Sequence, residues 1–318
     1  MKIVALDGYT LNPGDLSWAP IEKMGELTVY ERSSPEEVVE RCRDADIILT
    51  NKALVNAAAI RALPALRYIG VTATGYNVVD INAAKERGIP VSNAAGYSSP
   101  SVAQHVFSLL LALCTRTEAH AESVTAGDWS RSRDFCYWLQ SPVELSGKTM
   151  GIVGLGQIGK ATARIALGMG MQVIASHKHP KRDAMEGVRF TDLETCFRES
   201  DVISLHCPLN DQNKEFVNEA LLSLMKPTAY LINTSRGPLL NENEVADALN
   251  NGIIAGAGLD VLSNEPPAGD NRLIGAKNCL ITPHIAWASK ASRQRLMDIV
   301  AANIHAFREG NPVNIVNS

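Results

Sequence analysis

The 318-residue chain is poor in aromatic side chains, which make up 5% of it, and it carries little excess charge. Its 30 Lys and Arg residues against 34 Asp and Glu residues leave a net charge of -4. A chain without a basic excess lacks the electrostatic footprint of a nucleic-acid-binding protein. We therefore expect no nucleic-acid partner.

Long hydrophobic runs are also missing from the sequence. The longest lies around residues 106–114, far short of the roughly 18 apolar residues that a membrane helix needs. The apolar N-terminal run ends at Asp7, which is too early for a signal peptide. We therefore expect a cytoplasmic protein with no membrane partner.

The six cysteines are scattered, without C-x-x-C spacing and without a nearby C-x-x-H pair. This spacing argues against a zinc site and against a dithiol redox pair. We interpret the cysteines as reduced thiols, mostly in the core, and predict no metal site.

The chain does contain a repeated alternation of short β-branched runs with longer segments of helical periodicity, which is typical of α/β proteins with parallel sheets. A first series predicts strands at 2–6, 46–50, 68–71 and 89–92, with a helix at 34–43. A second series predicts six strands, the Rossmann number, at 149–153, 172–175, 202–206, 230–233, 256–260 and 279–282. The length, at roughly 150 residues per domain, also predicts two domains.

Two further helices are predicted to connect these series. Residues 101–117 have apolar side chains at helical spacing and could cross from one domain to the other. Residues 290–308 follow the last strand and could carry the C-terminus back to the first domain.

A glycine-rich turn follows the predicted strand 149–153 and precedes a helical run at 160–167. In a strand-turn-helix context, the pattern G-x-G-x-x-G is the dinucleotide-binding fingerprint, because its glycines permit a tight turn and close approach of a pyrophosphate to the helix N-terminus. The predicted cofactor-binding residues here are Gly154, Gly156, Gln157, Ile158 and Gly159.

The next strand should end at the adenosine ribose, where NAD-dependent proteins carry an acidic residue. That acid is missing: Ser176, His177 and Lys178 occupy the region, and Asp183 is the first acid to follow. The cations at this strand end favour NADP over NAD, since they suit a 2′-phosphate. The alternative remains open that they are solvated loop charges and that Ser176 bonds an NAD ribose.

Three chemically useful side chains follow later strands of the same series, namely Arg236, Glu265 and His284. The carboxyl ends of parallel strands bind ligands in such sheets, so the three could share one crevice. A guanidinium can bind the carboxylate and carbonyl of a 2-oxo acid, an imidazole can exchange the hydroxyl proton, and a carboxylate can orient the imidazole. Taken singly, a surface ion pair, a turn acid and a strand-end cap are the plainer interpretations. Their joint placement favours an active site.

Several motifs together resemble the D-isomer-specific 2-hydroxyacid dehydrogenase family over essentially the whole chain. They are Gly-Leu-Gly-Gln-Ile-Gly at 154–159, Asn-Thr-Ser-Arg-Gly at 233–237, Gly-Leu-Asp-Val-Leu at 258–262, Asn-Glu-Pro at 264–266 and Thr-Pro-His at 282–284. The resemblance implies two Rossmann-like, doubly wound parallel-sheet domains with the active site in a cleft. Residues 1–100 and 288–318 would form a flavodoxin-like substrate domain, and residues 101–287 an NAD(P)-binding Rossmann domain.

The same resemblance implies roles for individual residues. Arg236 would anchor the substrate, His284 would be the acid/base, and Glu265 would be its partner. Asp260 would lie near the nicotinamide carboxamide, and three residues would wall the ring: Cys207, Pro208 and Thr234. Backbone amides of the loop at 73–77 would hold the substrate carboxylate, which makes substrate-binding residues of Ala73, Thr74 and Gly75.

Within the family, the segments 73–80, 101–105 and 129–138 look most like those of glycerate dehydrogenases, also called hydroxypyruvate reductases. We therefore predict NAD(P)-dependent reduction of hydroxypyruvate or glyoxylate. Alternatives are D-lactate or another 2-oxo acid as the substrate pair, or a dinucleotide-sensing role like that of the family's corepressors. Family members are usually homodimers through the cofactor domain, and we expect the contact at 101–117 with the segment that follows.

Overall fold

The computed structural model describes all 318 residues, and the chain divides into two units. The first contains Met1–Ser98 and Trp287–Ser318, and the second contains Ser99–Ala286. Each unit has its own parallel sheet, so the α/β prediction with two Rossmann-like sheets is confirmed. None of the helices combines the length and the hydropathy that a membrane span requires.

The first unit contains a five-stranded parallel sheet in the order β2-β1-β3-β4-β5, which is the flavodoxin-like order. Its strands are β1 (Lys2–Ala5), β2 (Glu26–Val29), β3 (Ile47–Thr50), β4 (Tyr68–Val71) and β5 (Val91–Ser92). Its helices are α1 (Ala19–Glu22), α2 (Glu37–Arg41), α3 (Ala57–Ala62), α4 (Ile81–Glu86) and α12 (Lys290–Arg308).

The sequence missed strand β2 because it lies at the sheet edge and three of its four residues are exposed. The central strands were recognisable because both of their faces are buried. In β3, Ile47 and Leu49 pack into one apolar cluster and Ile48 into the cluster on the opposite face. A strand that is buried on both faces has a continuous apolar sequence, which is typical of parallel sheets.

The second unit contains a seven-stranded parallel sheet in the order β12-β11-β10-β9-β6-β7-β8. Its strands are β6 (Thr149–Val153), β7 (Gln172–Ser176), β8 (Val188–Phe190), β9 (Val202–Leu205), β10 (Tyr230–Asn233), β11 (Gly256–Leu259) and β12 (Cys279–Ile281). The prediction of six strands is corrected to seven, because β8 is a three-residue edge strand with no fully buried side chain. Counted from β6, the order contains the Rossmann arrangement 3-2-1-4-5-6 with one added edge strand.

The helices of the second unit are α5 (Ser99–Thr115), α6 (Thr117–Thr125), α7 (Asp128–Arg131), α8 (Gln157–Gly168), α9 (Leu193–Glu199), α10 (Glu219–Leu222) and α11 (Glu242–Asn250). Helix α5 starts at the first residue of this unit, two residues before its predicted start. Asn218 and Asn241 cap α10 and α11 by accepting from backbone amides. Such caps fix where each crossover helix begins after its strand.

Candidate active site

Three neighbouring strands of the second sheet, β10, β11 and β12, carry the predicted catalytic residues. The strands pair in parallel, so their carboxyl ends lie at the same sheet edge. Arg236 follows β10, Glu265 follows β11 and His284 follows β12. The sheet topology therefore brings the three loops to one edge, as their sequence positions predicted.

The loops after β10 and β11 are in contact at Gly237. A Cβ atom there would lie 1.9 Å from the carbonyl carbon of Leu262, so only glycine fits. Buried Asn233 holds the β10 loop by donating from Nδ2 to the Arg236 carbonyl at 2.9 Å and accepting from the Ser235 amide at 3.0 Å. The Arg236 side chain is exposed beyond this fixed turn and donates to the Ser235 carbonyl at 2.7 Å.

His284 and Glu265 form a short hydrogen-bonded pair. Nδ1 of His284 lies 2.6 Å from Oε2 of Glu265, and the other carboxylate oxygen accepts from the Leu262 amide at 3.2 Å. The side chains are 30% and 35% exposed, so a small molecule can reach the pair. Because the carboxylate engages Nδ1, the imidazole keeps Nε2 for a second partner.

Asp260, which directly follows β11, is 1% exposed. Its carboxylate accepts from the Thr282 hydroxyl at 2.6 Å and from the amides of Ile285 and Ala286 at 2.9 and 2.8 Å. Burial by itself would raise the pKa of Asp260, but hydrogen bonds from these groups and from His105 outweigh it and lower the pKa. A charged Asp260 therefore organises the backbone on the C-terminal side of His284.

The glycine-rich turn combines a close backbone approach at Gly154 with open space at Gly156. Gly154 has φ +98°, and a Cβ atom there would lie 2.7 Å from the Cys207 amide nitrogen, so this position needs glycine. Gly156 faces open space, with nothing within 4 Å of a Cβ atom, and it precedes the first turn of α8. The open space beside a helix N-terminus fits a dinucleotide phosphate. Gln157 and Ile158 are the first residues of that turn, and buried Gly159 packs against the Gly154 carbonyl.

The ring-wall residues of the resemblance follow β9 and β10, and one of them has a buried, unpaired hydroxyl. Thr234 Oγ1 has no hydrogen-bond partner. Its neighbour Ser235 donates to the Cys207 carbonyl at 2.7 Å, which ties the β10 loop to the β9 loop, and the Pro208 carbonyl accepts from Asn213 at 2.8 Å. Burial raises the pKa of the Cys207 thiol to about 11, so it stays neutral. The unpaired Thr234 hydroxyl is free to bind a polar group such as a carboxamide.

The ribose end differs from the sequence prediction in one respect. An acid in the loop after β7, Asp183, binds His177 at 2.8 Å and Arg182 at 2.7 Å from the same loop and Lys160 of α8 at 3.2 Å. Arg182 is the largest cause of a pKa of Asp183 well below its ordinary value, followed by His177. His177 also accepts from the Leu155 amide through Nδ1, at 3.1 Å, so it links the acid to the glycine turn.

The remaining ribose-end residues are Ser176 and Lys178. The Ser176 carbonyl accepts from the Gly154 amide at 2.9 Å, and Lys178 is exposed. Sequence reasoning missed that Asp183 neutralises part of the cluster. The sequence held one signal for this acid. Lys160 lies in the first turn of α8 beside the glycine pattern, where a cation needs an acidic partner.

A second residue missed from the sequence is Glu242, in the first turn of α11. Its carboxylate accepts from the Ser263 amide at 2.5 Å and from Asn271 Nδ2 at 2.7 Å. It thereby holds the loop on both sides of Glu265. An acid at a helix N-terminus is so common that its spacing gave no signal.

In the first unit, the predicted substrate loop follows β4. The Ala73 carbonyl accepts from the Ala94 amide at 3.0 Å, and Thr74 Oγ1 donates to the Ala94 carbonyl at 3.0 Å. Asn93 Nδ2 donates to the Thr74 carbonyl at 2.7 Å. These bonds use carbonyls and a hydroxyl, and they leave the amides of Ala73, Thr74 and Gly75 for an acceptor.

The fold and these strand-end residues define a dinucleotide-dependent oxidoreductase. Residues 107–286 match the family model described as the NAD binding domain of D-isomer specific 2-hydroxyacid dehydrogenases. The chain is 49% identical to a hydroxypyruvate reductase of Blautia hydrogenotrophica, with all of both chains covered. It is 41% identical to a glycerate dehydrogenase of Methylorubrum extorquens, with 100% of this chain and 99% of that protein covered.

Solved structures agree in fold over the whole chain. D-2-hydroxyisocaproate dehydrogenase superposes with a TM-score of 0.88 at 25% identity, covering 100% of both chains. An acyclic imino acid reductase in complex with NADPH and D-Arg superposes with a TM-score of 0.87 at 34% identity, covering 99% of this chain and 100% of that one. The chain belongs to the D-isomer specific 2-hydroxyacid dehydrogenase family, so the resemblance drawn from its motifs is confirmed.

Proposed function

We propose that this enzyme reduces a small 2-oxo acid, hydroxypyruvate or glyoxylate, to the corresponding 2-hydroxy acid. The observation that carries the proposal is the 2.6 Å pair of His284 and Glu265 on the same sheet edge as Arg236. The names of the full-length relatives, a hydroxypyruvate reductase and a glycerate dehydrogenase, supply the substrate class.

In this proposal, Arg236 binds the substrate through its exposed guanidinium. The planar fork matches a carboxylate and an adjacent carbonyl oxygen, and its charge polarises that carbonyl. The amides of Ala73, Thr74 and Gly75 are assigned to the carboxylate on the family resemblance. A reduced nicotinamide cofactor supplies the hydride when it is bound.

His284 holds the proton that the carbonyl oxygen needs as it becomes a hydroxyl. Nδ1 stays engaged by Glu265, so the transferable proton is the one on Nε2. The charge of Glu265 compensates the imidazolium before transfer, and its fixed geometry keeps the ring oriented. In the reverse direction the same nitrogen accepts the hydroxyl proton.

The cofactor would lie along the carboxyl edge of the second sheet. Its pyrophosphate would be held at Gly154, Gly156 and Gly159, with the amides of Gln157 and Ile158. Its nicotinamide would be held by Cys207, Pro208, Thr234 and Asp260, and its ribose by Ser176, His177 and Lys178. The open space at Gly156 and the unpaired Thr234 hydroxyl support this placement.

We propose further that the enzyme prefers NADP to NAD. No acid ends β7 to repel a 2′-phosphate, and exposed Lys178 can bind one. The NADPH complex of the 34% identical imino acid reductase is consistent with this preference. Arg182 is bound to Asp183, so the proposed preference for NADP depends more on Lys178 than the sequence suggested.

We also propose a homodimer formed through the second unit. An apolar groove of about 520 Å³ lies between α5 and α8, and its lining includes Phe107 and Leu111. Further along the chain, Phe135 and Trp138 are 90% and 62% exposed. Sedimentation velocity should give twice the monomer mass for the native protein and the monomer mass for Leu111→Glu. A monomeric native protein would contradict the proposal.

The activity is tested by initial rates with NADH and NADPH, each against hydroxypyruvate, glyoxylate, pyruvate and 2-oxoisocaproate. We expect the highest kcat/KM with hydroxypyruvate or glyoxylate and with NADPH. Preference for pyruvate or 2-oxoisocaproate would assign another 2-oxo acid. Cofactor binding without turnover of any acid would favour the sensing role instead.

A further inference from the structure

The segment that carries His284 is held at both ends by one face of helix α5. At its start, Thr282 Oγ1 lies 2.9 Å from Nε2 of His105. At its end, the Ala286 carbonyl accepts from the Ser101 hydroxyl at 2.7 Å. Ser101 and His105 are four residues apart, so they lie on the same helical face.

The hydrogen atoms in this network can be assigned from the donors. Asp260 is an acceptor, so the Thr282 hydroxyl donates to it at 2.6 Å and must accept from His105. His105 therefore carries its proton on Nε2, and a chain of bonds runs from His105 through Thr282 to Asp260. Nε2 also lies 3.4 Å from Asp260 Oδ1. Asp260 in turn accepts from the amides of Ile285 and Ala286.

His284 is at the centre of the held segment and has a left-handed backbone, with φ +54°. An L-residue other than glycine adopts this conformation at a cost, and it persists only where the surroundings enforce it. The His284 amide donates to the Asp260 carbonyl at 2.8 Å, so the enforcing contacts come from Asp260 and from the residues bonded to it. The hydrogen bonds from Ser101 and His105 of α5 support these contacts in turn.

We propose that Ser101 and His105 are positioning residues for His284: from one face of α5 they hold the segment 282–286 in the left-handed conformation that aims the imidazole. Neither touches His284 itself, and both act through Thr282, Asp260 and Ala286. The inference rests on the proposed role of His284 as the acid/base.

Two variants separate the hydrogen bond from the bulk of the side chain. His105→Gln keeps an N–H donor near the position of Nε2, whereas His105→Leu removes it. We expect His105→Leu to lower kcat about 10- to 100-fold, because small misplacements of catalytic groups cost up to about that much. His105→Gln should stay within about threefold of the native enzyme, and Ser101→Ala should lie between the two.

Two further measurements distinguish a positioning role of Ser101 and His105 from a merely structural one. The cofactor Kd should rise by less than about threefold in all three variants, because they alter the segment 282–286 and not the glycine turn that is proposed to hold the pyrophosphate. With a deuterated reduced cofactor, the isotope effect on kcat should rise in His105→Leu, since the chemical step becomes slower relative to product release. His305→Leu, an exposed histidine of α12, is the matched control and should change neither quantity.

Hydrogen exchange read by mass spectrometry tests the inference without any substrate. The amides of Ile285 and Ala286 should exchange faster in His105→Leu than in the native protein, and at the native rate in His105→Gln. Equal loss of kcat in the Gln and Leu variants, or unchanged exchange and kcat in His105→Leu, would overturn the inference. An inactive native enzyme that still shows the exchange difference would instead refute the proposed function alone.

Discussion

Two acids at the carboxyl edge of the second sheet are held in different ways. Asp260 lies at the catalytic end, the loops after β10 to β12, and Asp183 lies at the ribose end, the loop after β7. At the catalytic end, the Asp260 side chain is fully buried and is bound mainly by neutral donors, a hydroxyl and two amides. At the ribose end, Asp183 is 16% exposed and is bound by the cations Lys160 and Arg182, besides His177.

This difference matches the role that we propose for each end. Neutral donors in a buried site give a geometry that salt does not weaken, which suits a group that must aim a proton. Ion pairs at a partly exposed site are worth less and respond to neighbouring charge. The catalytic end is therefore expected to be rigid, and the ribose end to be adjustable in its choice of cofactor.

The largest effect on substrate binding should come from the exposed member of the catalytic end, Arg236. Arg236→Gln removes the charge that binds the substrate carboxylate, so kcat/KM should fall about 100- to 1,000-fold, with KM rising and the cofactor Kd unchanged. Arg198→Gln, an exposed arginine of α9 in the same unit, is the control and should have native kinetics. A native KM in Arg236→Gln would remove this residue from the site.

A smaller effect is expected where the two ends meet, at the glycine turn. Gly156 has φ -78°, so alanine fits its backbone, and the fold should be unaffected. The added methyl occupies the proposed pyrophosphate position, and the Kd for NADPH measured by fluorescence should rise about tenfold. Gly168→Ala, at the other end of α8 and also in open space, is the matched control. Equal Kd values in the two variants would place the cofactor elsewhere.

The ribose end should respond mainly in cofactor preference. Asp183→Asn releases Lys160 and Arg182 from their acid, so KM for NADPH should fall about three- to tenfold while KM for NADH changes little. Glu186→Gln removes an exposed charge from the same segment and controls for net charge. If both cofactors respond equally, the cations do not bind a 2′-phosphate.

The smallest effect concerns stability between the two ends, at His206 after β9. Burial lowers the pKa of His206 to about 4, below the ordinary value of 6.5. The unfolded chain therefore binds more protons between these values, and stability is lost as the pH falls from 6.5 towards 4. Because His206 is only half-buried, we expect about 1 kcal/mol from this residue between pH 7 and 5. Urea unfolding should show a smaller pH dependence in His206→Gln than in the native protein.

The sequence was sufficient to predict the position of a residue where that position depends only on the strand that the residue belongs to or follows. Strands buried on both faces were recognisable, and the strand ends gave Arg236, Glu265 and His284 because the order of parallel strands places such ends together. Edge strands β2 and β8 were not recognisable, since exposed residues carry no apolar pattern.

Contacts between distant segments could not be predicted from the sequence. The bonds from Ser101 and His105 to the segment 282–286 join residues more than 170 positions apart. The ion pair of Lys160 with Asp183 joins helix α8 to the loop after β7. Both follow from tertiary packing, which residue spacing alone does not encode.

The central claim is that His284 transfers the proton while Glu265 keeps the imidazole of His284 oriented. Single-turnover stopped-flow with hydroxypyruvate, on native enzyme and His284→Gln each saturated with NADPH, tests it most directly. We expect the rate of cofactor oxidation to fall by about 10²–10⁴-fold in the variant while NADPH still binds with native affinity. A single-turnover rate within about threefold of the native value, on enzyme that binds cofactor normally, would contradict the account.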